Sequence, residues 1–143
     1  ASTGTPAHFV HPAEASHGAL GMITPDDLCI LVSNSGESQE LADLVAYTRR
    51  FAIPMIAITK NAESSLGKQA DIVLPLPDVP EACTIGMAPT TSTTCTLALG
   101  DALAVAAMNE RDFDASSIGH YHPGGKLGAH LLPAAALPRL SFR

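Results

Sequence analysis

The stretch that decides the fold is Leu28-Cys29-Ile30-Leu31-Val32-Ser33-Asn34-Ser35-Gly36-Glu37-Ser38. Its first half is a continuous apolar run of strand length, which is typical of a parallel β-strand buried on both faces. Its second half places three serines around one glycine, directly before a helical pattern. This polar loop therefore follows the carboxyl end of a strand, where ligands bind in open α/β sheets.

The segment 33–38, called the serine loop below, suits an anion. A helix start offers unpaired N–H groups and a positive dipole end, and the serine hydroxyls add further donors. The alternative is that the serines only cap the helix, but three hydroxyls around one glycine favour an anion site. Neither GxGxxG nor GxxxxGK[ST] is present, so a dinucleotide or P-loop nucleotide has little support. The predicted anion ligands are Ser33, Asn34, Ser35 and Ser38.

Outward from this loop, short apolar runs alternate with helical patterns. The predicted strands are 7–10, 28–32, 55–58 and 72–74. Helices are predicted over 41–51, 63–69 and 91–109, with a short helix somewhere within 12–20. Strands alternating with helices predict the α/β class, with a parallel sheet in a three-layer α/β/α sandwich. The helix 91–109 is apolar nearly all round, a pattern that predicts burial.

Composition and charge exclude some classes of function. With 46% hydrophobic and 15% charged residues over 143 positions, the chain is of single-domain size and can bury a core. Its net charge of −6, with 4% aromatic residues and no Trp, makes nucleic acid an improbable partner. No apolar run is long enough to span a membrane. The three cysteines form no CxxC pair, which favours a reduced, cytoplasmic environment.

The serine loop resembles the phosphosugar signature of the sugar isomerase (SIS) family. Within that family, the chain is similar to arabinose-5-phosphate isomerases through Glu-Ala-Cys, Pro-Thr-Thr-Ser-Thr-Thr and His-Pro-Gly-Gly, and through two early stretches. These stretches are 2–6, 11–18, 80–83, 88–94 and 122–128. The resemblance implies a flavodoxin-like SIS domain over residues 1–132, followed by a tail or linker over 133–143. It also implies that a strand and helices of the full domain precede residue 1.

The resemblance further implies an activity, the interconversion of D-arabinose 5-phosphate and D-ribulose 5-phosphate, which leads to Kdo and lipopolysaccharide. It implies a homodimer or homotetramer, and neither a cofactor nor a metal is expected. Three alternatives stay open: a non-catalytic sugar-phosphate sensor, a structural remnant that only oligomerises, and another phosphosugar isomerase of the same family.

Aldose–ketose isomerisation through an enediol needs a base near the substrate carbon and groups that shuttle hydroxyl protons. By resemblance, Glu81 is the first choice for the base, although a loop carboxylate is more often only solvated. Glu40 matches a second active-site glutamate, and its alternative role is to complement a helix dipole. His122 matches the acid–base or ring-opening histidine, and its alternative is an ordinary surface histidine. His17 matches a further active-site histidine of the family.

Hydroxyls at the start of helix 91–109 are a further candidate site. They predict that Thr91 and Thr94 line the sugar or phosphate pocket, with helix capping as the alternative. The chain departs from the family at its front, because the family's Gly-Lys-Ser-Gly loop, whose lysine contributes to the active site, is absent from this sequence. Arg49, Arg50 and Lys60 occupy other positions, and none of them is expected to replace that lysine.

Overall fold

The computed structural model describes residues 1–122, apart from the side chains of Ser116 and His120. The helices are α1 (Pro12–Ala15), α2 (Ala42–Arg50), α3 (Ser65–Gln69), α4 (Thr91–Asn109) and α5 (Ala115–Tyr121), and the strands are β1 (Cys29–Val32), β2 (Met55–Thr59) and β3 (Ile72–Pro75). Two 3₁₀ turns, Ala19–Met22 and Gln39–Leu41, lie before β1 and before α2. The predicted domain boundary at residue 132 lies outside the described residues.

The chain divides into two compact units. One comprises residues 9–99 and contains all three strands. The other, within the described part of the chain, joins residues 1–8 to residues 100–122.

The three strands form one parallel sheet in the order β1-β2-β3. Val32 lies opposite Ile58, and Thr59 lies opposite Pro75, so β1 and β2 end side by side. All five residues of β2 are buried, as expected of the central strand of a covered parallel sheet. This sheet with its connecting helices confirms the predicted α/β class.

The hydrophobic core lies against one face of the sheet. Leu31, Met55 and Ala57 point to that face, where they pack with residues of α1, α2 and α3. The core residues from the helical segments are Ala15, Leu41, Leu44 and Leu66. The predicted helix 41–51 is present, and it begins as the 3₁₀ turn before continuing as α2.

Two predictions about the sheet are wrong. Residues 7–10 form no strand, and Phe9 is 84% exposed, although Val10 packs against the core. The apolar run at β1 predicts burial on both faces, but Ile30 and Val32 are 45% and 48% exposed. The physical reason is that α1, α2 and α3 pack against the Leu31 face, and the side chains of Ile30 and Val32 alternate to the other face.

Helix α4 has the predicted bounds, but its predicted burial is wrong. None of its residues is buried, and Leu97 is 71% exposed. A helix that is apolar on every side has no polar face to set its orientation, so its pattern does not identify which side packs. Among residues 1–122, no helix is long and apolar enough to cross a membrane.

An ion pair joins the end of α2 to the start of β3. Both terminal nitrogens of Arg49 donate to the Asp71 carboxylate, at 3.0 and 2.7 Å, and the backbone N–H of Met55 donates to it at 2.7 Å. The hydrogen bonds from Arg49 first, and from Met55 second, lower the pKa of Asp71 to about 2. This carboxylate therefore connects α2, β2 and β3 in its charged form.

We expect Asp71→Asn to destabilise the protein at neutral pH and to have little effect near pH 2. The folded pKa of Asp71 lies below its unfolded value of 3.8, so the stabilisation is complete above about pH 4 and is lost as pH falls toward 2. Asparagine can still accept from Met55, and only the charge is removed. Urea unfolding midpoints at pH 7 and pH 2.5 measure the effect. Glu63→Gln, in the exposed 3.8 Å pair with Lys68, is the control. An equal midpoint difference at both pH values would contradict the charge-based explanation.

Candidate active site

The serine loop is fixed to the carboxyl end of β2 by backbone and side-chain hydrogen bonds. The N–H of Ser33 donates to Ile58 O at 3.0 Å. Asn34 O then accepts from Lys60 N at 3.1 Å and from Thr59 Oγ1 at 3.2 Å. Because Thr59 is fully buried, its hydrogen bond to the loop is shielded from water. The loop begins where the parallel strands end.

Within the loop, the serine hydroxyls bond to one another and to the local backbone. Ser33 Oγ accepts from Gly36 N at 3.1 Å and lies 2.8 Å from Ser38 Oγ. Ser35 Oγ accepts from Glu37 N at 3.2 Å. In the described chain, Ser38 precedes the 3₁₀ turn without a side-chain cap bond, so simple helix capping does not account for it. Ser33 is buried and Ser38 is exposed, so the pair connects the interior to the surface.

Gly36 gives the loop its shape. Its φ of +74° is left-handed, and a Cβ at this position would overlap the Oγ and Cβ atoms of buried Ser64. The backbone continues the contact, because Gly36 O accepts from Leu66 N at 3.0 Å, and the Glu37 carboxylate accepts from Ser65 N at 2.9 Å. The start of α3 therefore packs directly against the serine loop.

A cavity of about 880 Å³ opens beside the ends of β1 and β2, inside the 9–99 unit. This volume is in the range of small-molecule sites. Its polar lining residues are Ser33, Asn34, Lys60, Asp78, Glu81, Ser92, Thr93 and Thr96. Valine, leucine, methionine and proline side chains complete the wall. Hydroxyls, an amide and both signs of charge next to apolar side chains form a surface suited to a small polar, anionic ligand.

Glu81 is held at the start of α4. Its Oε2 accepts from Thr90 N at 2.7 Å, from Thr90 Oγ1 at 3.0 Å and from Ser92 N at 3.3 Å. Hydrogen bonding from Ser92 first, and from Thr90 next, lowers the pKa of Glu81 to about 2. The carboxylate is therefore ionised at neutral pH, and Oε1 receives none of these three bonds. It caps the helix and lines the cavity at once.

The side chain of Cys83 forms hydrogen bonds within the loop between Glu81 and α4. Cys83 Sγ accepts from Met87 N and Ala88 N, both at 3.1 Å. Burial raises the pKa of Cys83, but the hydrogen bonds from Ala88 and Met87 leave it below its ordinary value. Gly86, within the same turn, has a φ of +65°. These contacts hold Met87 and Gly86 at the cavity wall.

The structure brings some of the predicted site residues together at this cavity. Ser33, Asn34 and Glu81 line it. Ser35 and Ser38 lie in the same loop, although they are not lining residues. Their assignment as phosphate ligands stays a prediction.

At the start of α4 the lining positions differ from those predicted. Thr91 and Thr94 do not line the cavity, and the Thr94 hydroxyl donates to Thr90 O at 2.9 Å. Ser92, Thr93 and Thr96 line it instead. Ser92 and Thr96 are four residues apart and share one helix face, a spacing that the sequence already contained.

The remaining candidates lie elsewhere. Glu40 is exposed in the Gln39–Leu41 turn, and His17 is exposed with Nδ1 2.8 Å from Ala13 O. Neither lines the cavity.

His122 follows α5 in the other unit, half-buried, with Nδ1 3.0 Å from Ile118 O. Residues 123–128 of its motif lie outside the described residues. No group of three or more potential metal ligands occurs within the described residues.

Comparison with known proteins identifies the family. A model described as "SIS domain" matches residues 1–106, about three quarters of the chain. The chain belongs to the SIS domain family. This confirms the family that the serine loop indicated in the sequence.

Curated relatives of this SIS domain are named as isomerases. The chain is 54% identical over 136 residues to arabinose 5-phosphate isomerase KpsF of Escherichia coli, covering 95% of this chain and 42% of the relative. It is 55% identical over 132 residues to arabinose 5-phosphate isomerase KdsD of Yersinia pestis, covering 92% and 40%. The chain therefore spans about two fifths of the length of these relatives.

A solved structure shows the same fold. A protein of Escherichia coli CFT073, determined in complex with arabinose 5-phosphate, superimposes with a TM-score of 0.81 at 41% identity. The match covers 85% of this chain and 65% of the other. This similarity supports the SIS-type α/β sandwich that the alternation of strands and helices predicted.

Proposed function

We propose that this SIS domain interconverts D-arabinose 5-phosphate and D-ribulose 5-phosphate. The observation that carries the proposal is that Ser33 and Asn34 of the serine loop and the ionised Glu81 line one cavity of about 880 Å³. The names of the KpsF and KdsD relatives support the choice of substrate. In this proposal the protein is a cytoplasmic homodimer or homotetramer that supplies precursors of Kdo and lipopolysaccharide.

The chemistry assigns separate tasks to the two sides of the cavity. The serine loop binds the phosphate through its hydroxyls and backbone N–H groups, with Ser33, Asn34, Ser35 and Ser38 as ligands. Ser92, Thr93 and Thr96, the hydroxyl residues of α4 that line the cavity, bind the substrate from the opposite side in place of Thr91 and Thr94.

Proton transfer is assigned to Glu81. Its Oε1 removes the proton from C2 of the aldose, the enediol forms, and the same proton is returned to C1 while the hydroxyl proton moves from O2 to O1. The assisting roles of Glu40, His122 and His17 in proton transfer and ring opening follow from the family resemblance alone, since none of the three lines the cavity. The balance is complete within substrate and side chains, so the step needs no redox cofactor.

The hydrogen bonds of Glu81 are also compatible with the alternative function, a non-catalytic sugar-phosphate sensor. A carboxylate that accepts three bonds at a helix start has a structural duty, which is compatible with a sensor that binds sugar phosphate without turning it over. The isomerase accounts in addition for the position of Glu81 on the cavity wall beside the serine loop.

Incubation of the protein with D-arabinose 5-phosphate, with ketose formation followed over time, distinguishes the two functions. We expect D-ribulose 5-phosphate to form and the reverse reaction to reach the same equilibrium ratio. Full-length E. coli KdsD is the positive control, and D-arabinose without phosphate is the substrate control. Binding of the phosphosugar without ketose would contradict the isomerase and support the sensor.

A further inference from the structure

A lysine and an aspartate face each other on the wall of the cavity. Lys60 follows the last residue of β2, and its Nζ lies 3.2 Å from Asp78 Oδ1. Both residues line the cavity together with Glu81. The backbone N–H of Lys60 donates to Asn34 O at 3.1 Å, so the start of this side chain is fixed beside the serine loop.

The charges around the cavity make this lysine significant. Among the described residues that line it, Lys60 is the only lysine or arginine, whereas Asp78 and Glu81 are both acidic. A phosphomonoester carries close to two negative charges at neutral pH. Two carboxylates repel such a group, and the hydroxyls of the serine loop supply no positive charge. Among the described lining residues, the ammonium group of Lys60 is therefore the one full positive charge that can balance a phosphate in this cavity.

The ion pair between Lys60 and Asp78 can be exchanged easily. The side chains of Lys60 and Asp78 are 41% and 82% exposed, and exposed ion pairs contribute little to stability. A phosphate oxygen can therefore replace the Asp78 carboxylate as the partner of Nζ at small cost. The phosphate offers more negative charge than the aspartate does, which favours the exchange.

We propose that the Lys60 ammonium group binds the phosphate of the sugar substrate, and that the phosphate displaces the Asp78 carboxylate, which is the partner of Nζ in the empty cavity. The inference rests on the proposed function, because it concerns the ligand of the same cavity. Lys60 then supplies a charge to a phosphate site whose other ligands are neutral hydroxyls and N–H groups.

The test measures the affinity of Lys60→Met for D-arabinose 5-phosphate by isothermal titration calorimetry at low and high salt. We expect the Kd to rise by about 10- to 100-fold, because hydrogen bonds to charged groups are the stronger ones. The loss should shrink at high salt, where the charge is screened. KM should rise by the same factor while kcat changes by less than about threefold, since the lysine acts in binding. Inorganic phosphate should lose affinity in parallel, and D-arabinose should show no change.

Lys68→Met is the matched control, because Lys68 is an exposed lysine of α3 in a 3.8 Å pair with Glu63 and does not line the cavity. A Kd for Lys60→Met within twofold of the Lys68→Met value would overturn the inference. Asp78→Asn should bind the phosphosugar as tightly as the unmodified protein or more tightly. Tenfold weaker binding by Asp78→Asn would overturn the role assigned to that carboxylate.

The same measurements separate this inference from the proposed function. If the unmodified protein binds the phosphosugar but forms no ketose, the isomerase proposal fails, and the Kd of Lys60→Met still decides the inference. If ketose forms and the Kd of Lys60→Met is unchanged, only the inference fails. If the unmodified protein binds neither the phosphosugar nor inorganic phosphate, both are contradicted.

Discussion

Replacing Glu81 with glutamine is expected to slow ketose formation by at least about a hundredfold. Glutamine has nearly the same shape, and its side-chain oxygen can still accept from the backbone N–H groups of Thr90 and Ser92. It cannot take a proton from the substrate carbon. The loss should therefore appear in kcat, with KM changed little, when initial rates with D-arabinose 5-phosphate are compared.

The pH profile gives a second readout for the same residue. The pKa of Glu81 is about 2, so the carboxylate is the charged, competent form at every pH above about 4. The acidic limb that Glu81 contributes to kcat/KM should accordingly fall below pH 4, separate from the limb near pH 6 that the second ionisation of the substrate phosphate contributes. A further acidic limb near pH 6, in addition to that of the substrate phosphate, would assign the base to another group.

Glu63→Gln, at an exposed glutamate in the turn before α3, is the matched control for the loss of one carboxylate charge. It should keep full activity. A Glu81→Gln protein with a lower melting temperature and unchanged kcat would show that this carboxylate only caps α4.

Gly36→Ala is expected to have the largest effect on stability, about 2–4 kcal/mol. Alanine at a φ of +74° is strained, and its Cβ would overlap the buried Ser64 side chain. Ser64 in turn caps α3 through Gly67 N at 3.1 Å, so it cannot move without a further loss. Urea unfolding of the variant, monitored by circular dichroism, measures the change.

Gly86→Ala isolates the overlap from the backbone strain. Gly86 has a similar φ of +65°, but a Cβ there would meet nothing within 4 Å. We expect this control to lose only about 1 kcal/mol, which is the cost of the left-handed conformation alone. If both variants lost the same free energy of unfolding, the overlap with Ser64 would contribute nothing. That result would contradict the close contact between the serine loop and α3.

The elements closest to the serine loop are predictable from sequence. The apolar runs at β1, β2 and β3 are short, continuous and bounded by polar or proline residues, so their identity as strands follows directly. The loop after β1 is recognisable as a site because its serines and glycine follow a strand end. In both cases the residues adjacent in sequence are sufficient for the prediction.

Burial and side-chain register cannot be predicted in the same way. The exposure of Ile30 depends on which face of the sheet the helices cover, and that is a property of distant segments. Helix α4 has hydroxyls on several sides, so the sequence does not decide between Thr94 and Thr96 as the cavity residue.

The charged residues of the cavity are even more difficult to predict from the sequence. Lys60 and Asp78 are distant from the serine loop in sequence, and only the alignment of strand ends brings them to it. The capping of α4 by Glu81 likewise joins residues that no local motif connects. The catalytic assignment of Glu81, Glu40, His122 and His17 depends on family resemblance, and it stays a prediction.

The parallel order of the sheet has a consequence for how the chain acquires its structure. No two paired strands within the described residues are joined by a tight hairpin, so each pairing requires a helix-containing segment to close first. Closing such segments costs entropy before any interstrand hydrogen bond forms. Helix α2, with nine residues, is too short to persist alone. Folding is therefore expected to proceed without an early hairpin nucleus, in milliseconds or longer, with the central strand incorporated together with both of its neighbours.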